Sequence, residues 1–242
     1  MLFGKTQLPQ EVGFFVIYIA ISYFSKSQIS GKIEVLKNVI YISGSMILFF
    51  AGVILYGVVL NLREVTLEEA LLEKGLVKLE NVQLVVDRKN YRIELYSDKI
   101  LIKSFKAAFG KNTGSFKTSA TDNITPIGEY KICATDSVSK FHKFLHLDYP
   151  NEHDAAEALK QKYINKDEFS AIMLAVQKNE CPPPETKLGA IIGIHGIGKY
   201  NVIFKNLPFS FNWTNGSIAV SNENIDELYS VVKIGTPVKI TY

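Results

Sequence analysis

The 242 residues suffice for one substantial core and an appendage. With 47% hydrophobic residues and a mean hydropathy of +0.10, the chain is more apolar than an ordinary soluble domain, which predicts that part of it lies in a membrane. A formal net charge of only +3, without a dense stripe of Lys and Arg, argues against nucleic acid as a partner.

Two apolar stretches near the N-terminus are candidate membrane spans. Residues 39–60 read VIYISGSMILFFAGVILYGVVL, and at about 1.5 Å per residue this uncharged stretch crosses a hydrocarbon core of roughly 30 Å. Residues 12–24, VGFFVIYIAISYF, are shorter and predict a first span over 8–27. Residues 1–62 are therefore predicted to form a membrane anchor, a transmembrane helical hairpin.

The charges around these stretches predict the orientation of the anchor. Lys26, Lys32 and Lys37 lie between the two stretches, whereas the charged residues just after the second stretch are one Arg and several Glu. Positive charge is retained on the cytoplasmic side of a membrane. The connecting segment 25–38 is therefore predicted to be cytoplasmic. Everything after residue 61 is predicted to lie outside the cytoplasm, whether the chain has one span or two.

The pattern changes twice after the anchor. Residues 63–80 are predicted to be a helical stalk, because Thr66 precedes acidic residues and Gly75 follows them. Over 84–110, short bursts of alternating apolar and polar residues are separated by turn residues, which predicts a meander of antiparallel strands. With the helices that follow, residues 81–242 are predicted to form a mostly β domain with a few helices, of the α+β class.

Two helices and two cysteines follow the meander. Asn151 and Asn165 each begin a stretch of helical composition and suit the N-cap position. Cys133 and Cys181 are the only cysteines of the chain. Two free thiols are the preferred interpretation, and a disulfide between them stays open.

Two residues near the C-terminal end are a possible base and nucleophile. His195 ends the apolar run AIIGIHG, and the alternative is a buried core histidine. Ser217 follows the tight-turn signal Asn215-Gly216, and the alternative is a turn serine. Taken together, they could pair as base and nucleophile. The backbone N–H groups of Gly216 and Ser217 would then form an oxyanion hole.

Four motifs in this part of the chain resemble one family. They are TPIGEY (125–130), SKFHKFLHLDYPN (139–151), PPPETKLGAIIGIHG (182–196) and NWTNGSIAVSNENIDELY (212–229). Taken in order, they resemble the L,D-transpeptidase catalytic domain, the YkuD-type fold, over roughly residues 82–242. The resemblance implies a β-sandwich catalytic domain preceded by the membrane anchor.

The resemblance also implies a peptidoglycan-remodelling acyltransferase that uses no cofactor and no metal ion. In this family a cysteine attacks a stem-tetrapeptide carbonyl at its bond to the terminal D-Ala, and an amine or water resolves the thioester. The family's base corresponds to His195, which the backbone carbonyl of Gly196 orients, and its nucleophile corresponds to Ser217. The implied partners are peptidoglycan stem peptides and a membrane. The implied location is the bacterial cytoplasmic membrane, with the domain on the periplasmic side.

Ser217 departs from the family, whose nucleophile is a cysteine. A thiol is partly ionised at neutral pH, whereas an alcohol needs its base throughout the attack. Three interpretations stay open: an engineered cysteine replacement, a natural inactive homologue, and a working serine variant. A hydroxyl here predicts an inactive or weakly active chain. The alternative function is therefore a catalytically silent homologue that binds or scaffolds the cell wall.

Other positions near the motifs differ from the family or suggest contacts. Thr121-Asp122 replaces the usual Gly-Asp, Asn215 a frequent His, and Ala219 a frequent Arg. The candidate substrate contacts are His142, Trp213, Thr214 and Asn215. His142 and His146 have the spacing of a metal pair only if they lie on a helix, and the local pattern favours a strand, so no metal site is predicted.

Overall fold

The structure is a computed structural model that describes residues 10–62, 64–189, 191–207 and 210–242. Residues 8 and 9 of the predicted first span and the first residue of the predicted stalk lie outside the described residues. The chain divides into two compact units, with the boundary between Val53 and Ile54.

One continuous helix, α1 (Gln10–Asn61), takes the place of the predicted hairpin. At about 1.5 Å per residue, its 52 residues extend for about 78 Å. The segment 25–38, predicted to connect two spans, is helical, since it contains no proline that would interrupt the helix. Within the described part of the chain, the stretch Gly31–Leu60 is long and apolar enough to cross a membrane.

A short helix, α2 (Leu67–Glu73), follows and begins at a capping box. Thr66 Oγ1 accepts a hydrogen bond from the Glu69 N–H, and the Glu69 carboxylate accepts one from the Thr66 N–H. Leu67 and Ala70 are buried in the main core, and the Leu67 N–H donates to Glu227. The helix lies within the predicted stalk, and its apolar face packs into the core of the domain that follows.

The predicted meander is present. It consists of β1 (Gln83–Asp87), β2 (Arg92–Ser97) and β3 (Ile100–Lys106), paired antiparallel. The turns between these strands, at 88–91 and 98–99, fall at the turn signals Arg88-Lys89-Asn90 and Ser97-Asp98 of the sequence. Alternate side chains of β1, such as Leu84 and Val86, are buried in the core.

Five more strands complete an eight-stranded sheet. They are β4 (Gly128–Ser139), β5 (His142–Leu147), β6 (Gly193–Gly196), β7 (Ile218–Val220) and β8 (Pro237–Thr241), and the spatial order is β3-β2-β1-β8-β4-β5-β6-β7. The pairs β1–β8 and β6–β7 are parallel. Just after β3, Ala108 exchanges two backbone hydrogen bonds with Ala219 of β7, of 2.8 and 2.9 Å. The sheet therefore curls until its two edges approach each other.

Helices cover the sheet and confirm the α+β class. In the described ranges they are α3 (Glu152–Lys160), α4 (Lys166–Lys178), α5 (Asn201–Phe204) and α6 (Asn222–Val231), with a 3-10 turn over Gly198–Tyr200. Asn151 and Asn165 cap α3 and α4 as predicted, and Ser221 caps α6. The helices α3 and α4 share a small core of their own, whereas α6 contributes Ile225 and Leu228 to the main core.

Cys133 and Cys181 form a disulfide, with an Sγ–Sγ distance of 2.01 Å, so the preferred interpretation of two free thiols is wrong. Cys133 lies in β4 and Cys181 follows α4, 48 residues later. The fold brings their Cα atoms to 5.2 Å, a proximity that the spacing in the sequence does not reveal. Since these are the only two cysteines, the chain contains no free thiol.

Candidate active site

The parallel strands β6 and β7 position the two residues of the predicted pair. His195 lies in β6, opposite Phe144 of β5 and Ala219 of β7. Ser217 immediately precedes β7, so it lies level with Gly193 and two residues, or about 6.6 Å, along the strands from His195. Because strand side chains alternate, this register directs both side chains to one face of the sheet.

The backbone fixes the tautomer of His195. Its Nδ1 lies 2.7 Å from the carbonyl oxygen of Gly196. Since a carbonyl only accepts, Nδ1 carries the proton, and in the neutral ring Nε2 keeps a lone pair. This is the orientation that a general base needs.

Aromatic rings enclose the imidazole. Phe141 stacks on it with a centroid distance of 4.3 Å, and Phe144 stacks at 5.4 Å. The ring of Trp213 meets it edge-on at 6.4 Å. Only 2% of His195 is exposed, although the strand to which it belongs ends one residue later.

This enclosure keeps the imidazole neutral. Burial lowers the pKa of His195 to about 4, although the Gly196 carbonyl raises it, and the charge of Lys140 lowers it further. At neutral pH His195 is therefore an unprotonated base. Its basicity is weak, because the rings around it do not solvate an imidazolium.

The Ser217 hydroxyl is bonded to the backbone of the preceding strand. Its Oγ donates to the carbonyl oxygen of Ile191 and accepts from the Gly193 N–H, at 3.3 Å each. No hydrogen bond joins it to His195 among the contacts of these two described residues. A Cβ at Gly193 would collide with the Phe144 ring and with the Leu145 carbonyl oxygen, so this glycine lets β5 pack closely on β6.

Thr214 holds the turn that presents Ser217. Its buried hydroxyl donates to the Ser217 carbonyl oxygen at 2.5 Å and accepts from the Gly216 N–H at 3.2 Å. Gly216 has a φ of 121°, which side-chain-bearing residues rarely adopt. A Cβ there would also lie 2.8 Å from the Ile124 carbonyl oxygen. This contact locks the turn against the 110–125 loop.

These bonds alter the roles that the sequence predicts for the turn. The Gly216 N–H, predicted as an oxyanion donor, already donates to Thr214, so an oxyanion would have to displace that hydroxyl. Thr214, predicted as a substrate contact, is 4% exposed and serves the turn itself. Of the two predicted oxyanion donors, the Ser217 N–H therefore remains.

The other predicted contacts lie at different distances from His195. Trp213 lies beside the imidazole, and the ring of Phe204 packs on the indole with a centroid distance of 5.4 Å. Asn215 is exposed and accepts from Lys111 Nζ at 3.4 Å. The His142 ring turns to α6 and bonds to Asp226 at 2.9 Å, with a φ of 80° at His142. Of the four, Trp213 is the one in ring contact with His195.

His142 and His146 do not form a metal pair. Both lie on the strand β5, as the local sequence pattern favours, and they bond to different carboxylates, Asp226 and Asp136. Among the described residues, no group of three or more potential ligands has the geometry of a metal site.

Two features of the site are missing from the sequence-based prediction. Phe141, which stacks on His195, lies within a quoted motif, but its sequence position gives no signal of the contact. Lys117 is 2% exposed, and its Nζ bonds to Asp122 at 2.5 Å. That Nζ lies 3.5 Å from the place a Cβ would take at Gly216, so a buried ion pair supports the Ser217 turn. The sequence signal for this ion pair is Asp122, which keeps the acidic residue of the family's usual Gly-Asp.

The part of the chain that carries these features matches the model of a known family. Residues 81–240 match the family model of the L,D-transpeptidase catalytic domain, YkuD. The chain belongs to this family. The L,D-transpeptidase domain begins at β1 and ends within β8, so α1 and α2 lie outside the matched residues.

Solved structures with a similar fold include three bacterial proteins. Bd1075 of Bdellovibrio bacteriovorus is 18% identical, with a TM-score of 0.42, over 67% of this chain and 48% of that one. An L,D-transpeptidase from Mycobacterium tuberculosis is 13% identical, with a TM-score of 0.41, over 67% of this chain and 58% of that one. The L,D-transpeptidase from Xylanimonas cellulosilytica is 14% identical, with a TM-score of 0.36, over 72% and 68%.

The chain thus spans about half the length of the Bdellovibrio structure, at 48%. Likenesses at this level carry no argument about activity. No curated protein matches the sequence significantly.

Proposed function

We propose that this domain is an L,D-transpeptidase-type acyltransferase that acts on peptidoglycan stem tetrapeptides through an acyl-enzyme at Ser217. One observation carries the proposal: the Gly196 carbonyl holds the proton of His195 on Nδ1 and leaves Nε2 as a base. The strand register supports it, because it directs that imidazole and Ser217 to one face of the sheet.

In the proposed reaction, Ser217 Oγ attacks the carbonyl carbon of the stem-peptide bond that precedes the terminal D-Ala. His195 Nε2 takes the hydroxyl proton and returns it to the departing amine of D-Ala, so an ester forms as the amide bond breaks. An amine of a second stem, or water, then attacks the ester and frees Ser217. The Ser217 N–H would stabilise the oxyanion.

The proposed reaction is slow, for three physical reasons. An alcohol is hardly ionised at neutral pH, so proton transfer to the base must accompany the attack. A base whose pKa is about 4 accepts that proton poorly. The hydroxyl must also leave the Ile191 carbonyl and rotate towards the imidazole.

Three observations support a location outside the cytoplasm, anchored in the membrane. Disulfides such as Cys133–Cys181 persist in oxidising compartments. The stretch Gly31–Leu60 suits a membrane anchor or a signal sequence by its length and composition. Lys26, Lys32 and Lys37 favour a cytoplasmic N-terminal side. A reporter fused after Tyr242 tests this: activity only in the cytoplasm would contradict it.

A specific observation favours the second candidate, a catalytically silent homologue that binds or scaffolds peptidoglycan. The Ser217 hydroxyl donates to a backbone carbonyl instead of to its base, and the chain has no free thiol to replace it. In this alternative the cleft binds stem peptides without acylation.

Intact-mass spectrometry of the full chain, after incubation with a stem tetrapeptide, separates the two candidates. The enzyme proposal expects a slowly formed adduct with the mass of the tetrapeptide minus D-Ala, absent from Ser217→Ala. Binding without an adduct, measured by calorimetry on the same sample, would establish the silent homologue. Neither binding nor an adduct would refute both.

A further inference from the structure

The segment between β6 and β7 exposes apolar side chains beside the candidate site. Val202 is 70% exposed, Ile203 54% and Tyr200 53%. Val202 and Ile203 belong to the short helix α5. Asn201 of this helix is buried, and its side chain forms hydrogen bonds with Glu223 and with the Asn222 N–H. These bonds to α6 fix the helix, so its apolar side chains face outward in the folded state.

The same segment meets the C-terminal end of the apolar helix α1. A Cβ at Gly57 would overlap the carbonyl oxygen of Asn206, so the two backbones touch. Gly57 lies three residues before the end of the stretch Gly31–Leu60, or about 4.5 Å along the helix axis. The backbone just after α5 therefore reaches the last turn of the stretch that is suited to cross a membrane.

The composition of the exposed surface matches the surface of a bilayer. Lys199 Nζ lies 4.9 Å from the centre of the Tyr200 ring, and both side chains are exposed. Tyrosine and lysine favour the headgroup level, where an apolar body and a polar tip are both accommodated. Aliphatic side chains such as Val202 and Ile203 enter the boundary between headgroups and acyl chains, to a depth of about 5–10 Å.

We propose that Lys199–Phe204, the docking segment, lies on the outer surface of the phospholipid bilayer that α1 crosses. The proposal rests on the anchoring inferred above and goes beyond it, because it assigns a second contact with lipid to the domain itself. The docking segment ends at Phe204, which packs on Trp213 beside His195. Docking therefore holds the cleft of His195 and Ser217 next to the membrane.

Quenching of tryptophan by brominated lipid tests the docking segment in the full chain. Trp213 is the only tryptophan, so Trp213→Phe provides a silent background for single reporters. The test reporter is Ile203→Trp, with Val202→Trp as a second variant in case the first does not fold. Leu55→Trp, in α1, reports anchoring. Leu174→Trp, on α4, is the matched control, since Leu174 is 52% exposed and Ile203 54%.

Each variant is reconstituted in vesicles of phosphatidylcholine and phosphatidylglycerol, with bromine near the carbonyl end or near the middle of the acyl chain. Bromine near the carbonyl end should roughly halve the fluorescence of the Ile203 reporter, because that side chain lies in the boundary layer. The Leu55 reporter should be quenched and the Leu174 reporter unaffected.

The possible outcomes distinguish the two proposals. If Leu55→Trp is quenched while the reporters at positions 202 and 203 behave like the control, α1 is an anchor but the docking segment does not touch lipid. Blue-shifted emission without quenching at these positions would assign the surface to a protein partner or a second copy of the chain, and would also overturn docking. An unquenched Leu55 reporter would overturn anchoring and docking together.

Discussion

The Ser217 hydroxyl donates its hydrogen bond to the carbonyl oxygen of Ile191, 3.3 Å away. Ser217 Oγ also accepts a hydrogen bond from the Gly193 N–H, so the backbone largely satisfies the hydrogen-bonding capacity of this hydroxyl. His195 nevertheless keeps the tautomer of a general base. The site thus combines an oriented base with a nucleophile whose hydroxyl is hydrogen-bonded to the backbone and not to that base.

Ser217→Cys should increase acylation by stem tetrapeptides or carbapenems by at least about tenfold. A few per cent of an ordinary thiol is ionised at neutral pH, and sulfur is intrinsically more nucleophilic than an alcohol oxygen. The rate of adduct formation, followed by intact mass for the Ser and Cys forms, measures the gain.

The control for this gain is the double variant Ser217→Cys with His195→Ala. Loss of the positioned base should reduce the gained rate by about 10²–10⁴-fold. A folded Cys form that stays inert would show that the cleft has lost more than its nucleophile, which would support the silent homologue. Equal rates for the Ser and Cys forms would identify Ser217 as a fully competent nucleophile.

His195 should make the domain less stable as the pH falls from 6.5 to about 4. Above this window the imidazole is neutral in both the folded and the unfolded state. Within it, the unfolded chain takes up a proton that the folded state does not, because burial lowers the folded pKa to about 4. The loss of free energy of unfolding should be on the order of 3 kcal/mol.

Comparison with His195→Gln isolates this effect, because Asp154 opposes it. Burial raises the pKa of Asp154 to about 6, so its contribution to stability increases as the pH falls from 6 towards 3.8. Urea unfolding of both forms at several pH values gives the difference. A parallel pH dependence in the two forms would contradict the neutral buried imidazole, as would an NMR titration of His195 near pH 6.5.

Removal of the disulfide should substantially destabilise the domain over residues 81–242. The bond closes a loop with a sequence separation of 48, so Cys133→Ser with Cys181→Ser should lower the free energy of unfolding by about 4 kcal/mol, by loss of a constraint on the unfolded chain. Urea unfolding followed by the fluorescence of Trp213 measures this loss. Oxidised parent protein is the reference, and a change below about 1 kcal/mol would contradict the prediction.

Asp122→Asn should destabilise the domain because it leaves the ammonium of Lys117 buried without its carboxylate. Burial raises the pKa of Asp122, but the Lys117 ammonium and three backbone N–H groups outweigh it and hold that pKa below its usual range. The loss of one partner of such a pair costs about 3–5 kcal/mol.

The matched control for this pair is Asp122→Asn combined with Lys117→Met, which removes the uncompensated charge. This double variant should regain part of the stability in urea unfolding. If it is as unstable as Asp122→Asn alone, the buried ammonium is not the cause of the loss. Because Lys117 lies under Gly216, both variants should also change the environment of Ser217.

Local chemistry was enough to predict the regular elements of this chain. The alternation over 84–110 predicted the strands of the meander, and Asn151 and Asn165 predicted the helix starts, since caps and strand periodicity act over a few residues. The motifs around His195 and Ser217 also identified the family, which the match over 81–240 confirms. The predicted hairpin did not form, because a charged segment without proline can continue a helix.

Contacts between distant residues were decided by the tertiary structure alone. The pairing of Cys133 with Cys181, the stacking of Phe141 on His195 and the placement of Lys117 under Gly216 each join separate elements. The lowered pKa of His195 follows from such packing, because desolvation depends on which rings surround the imidazole. The sequence by itself determined which groups are present, and the tertiary structure decided which of them satisfy one another, since hydrogen bonding and burial depend on distances in space.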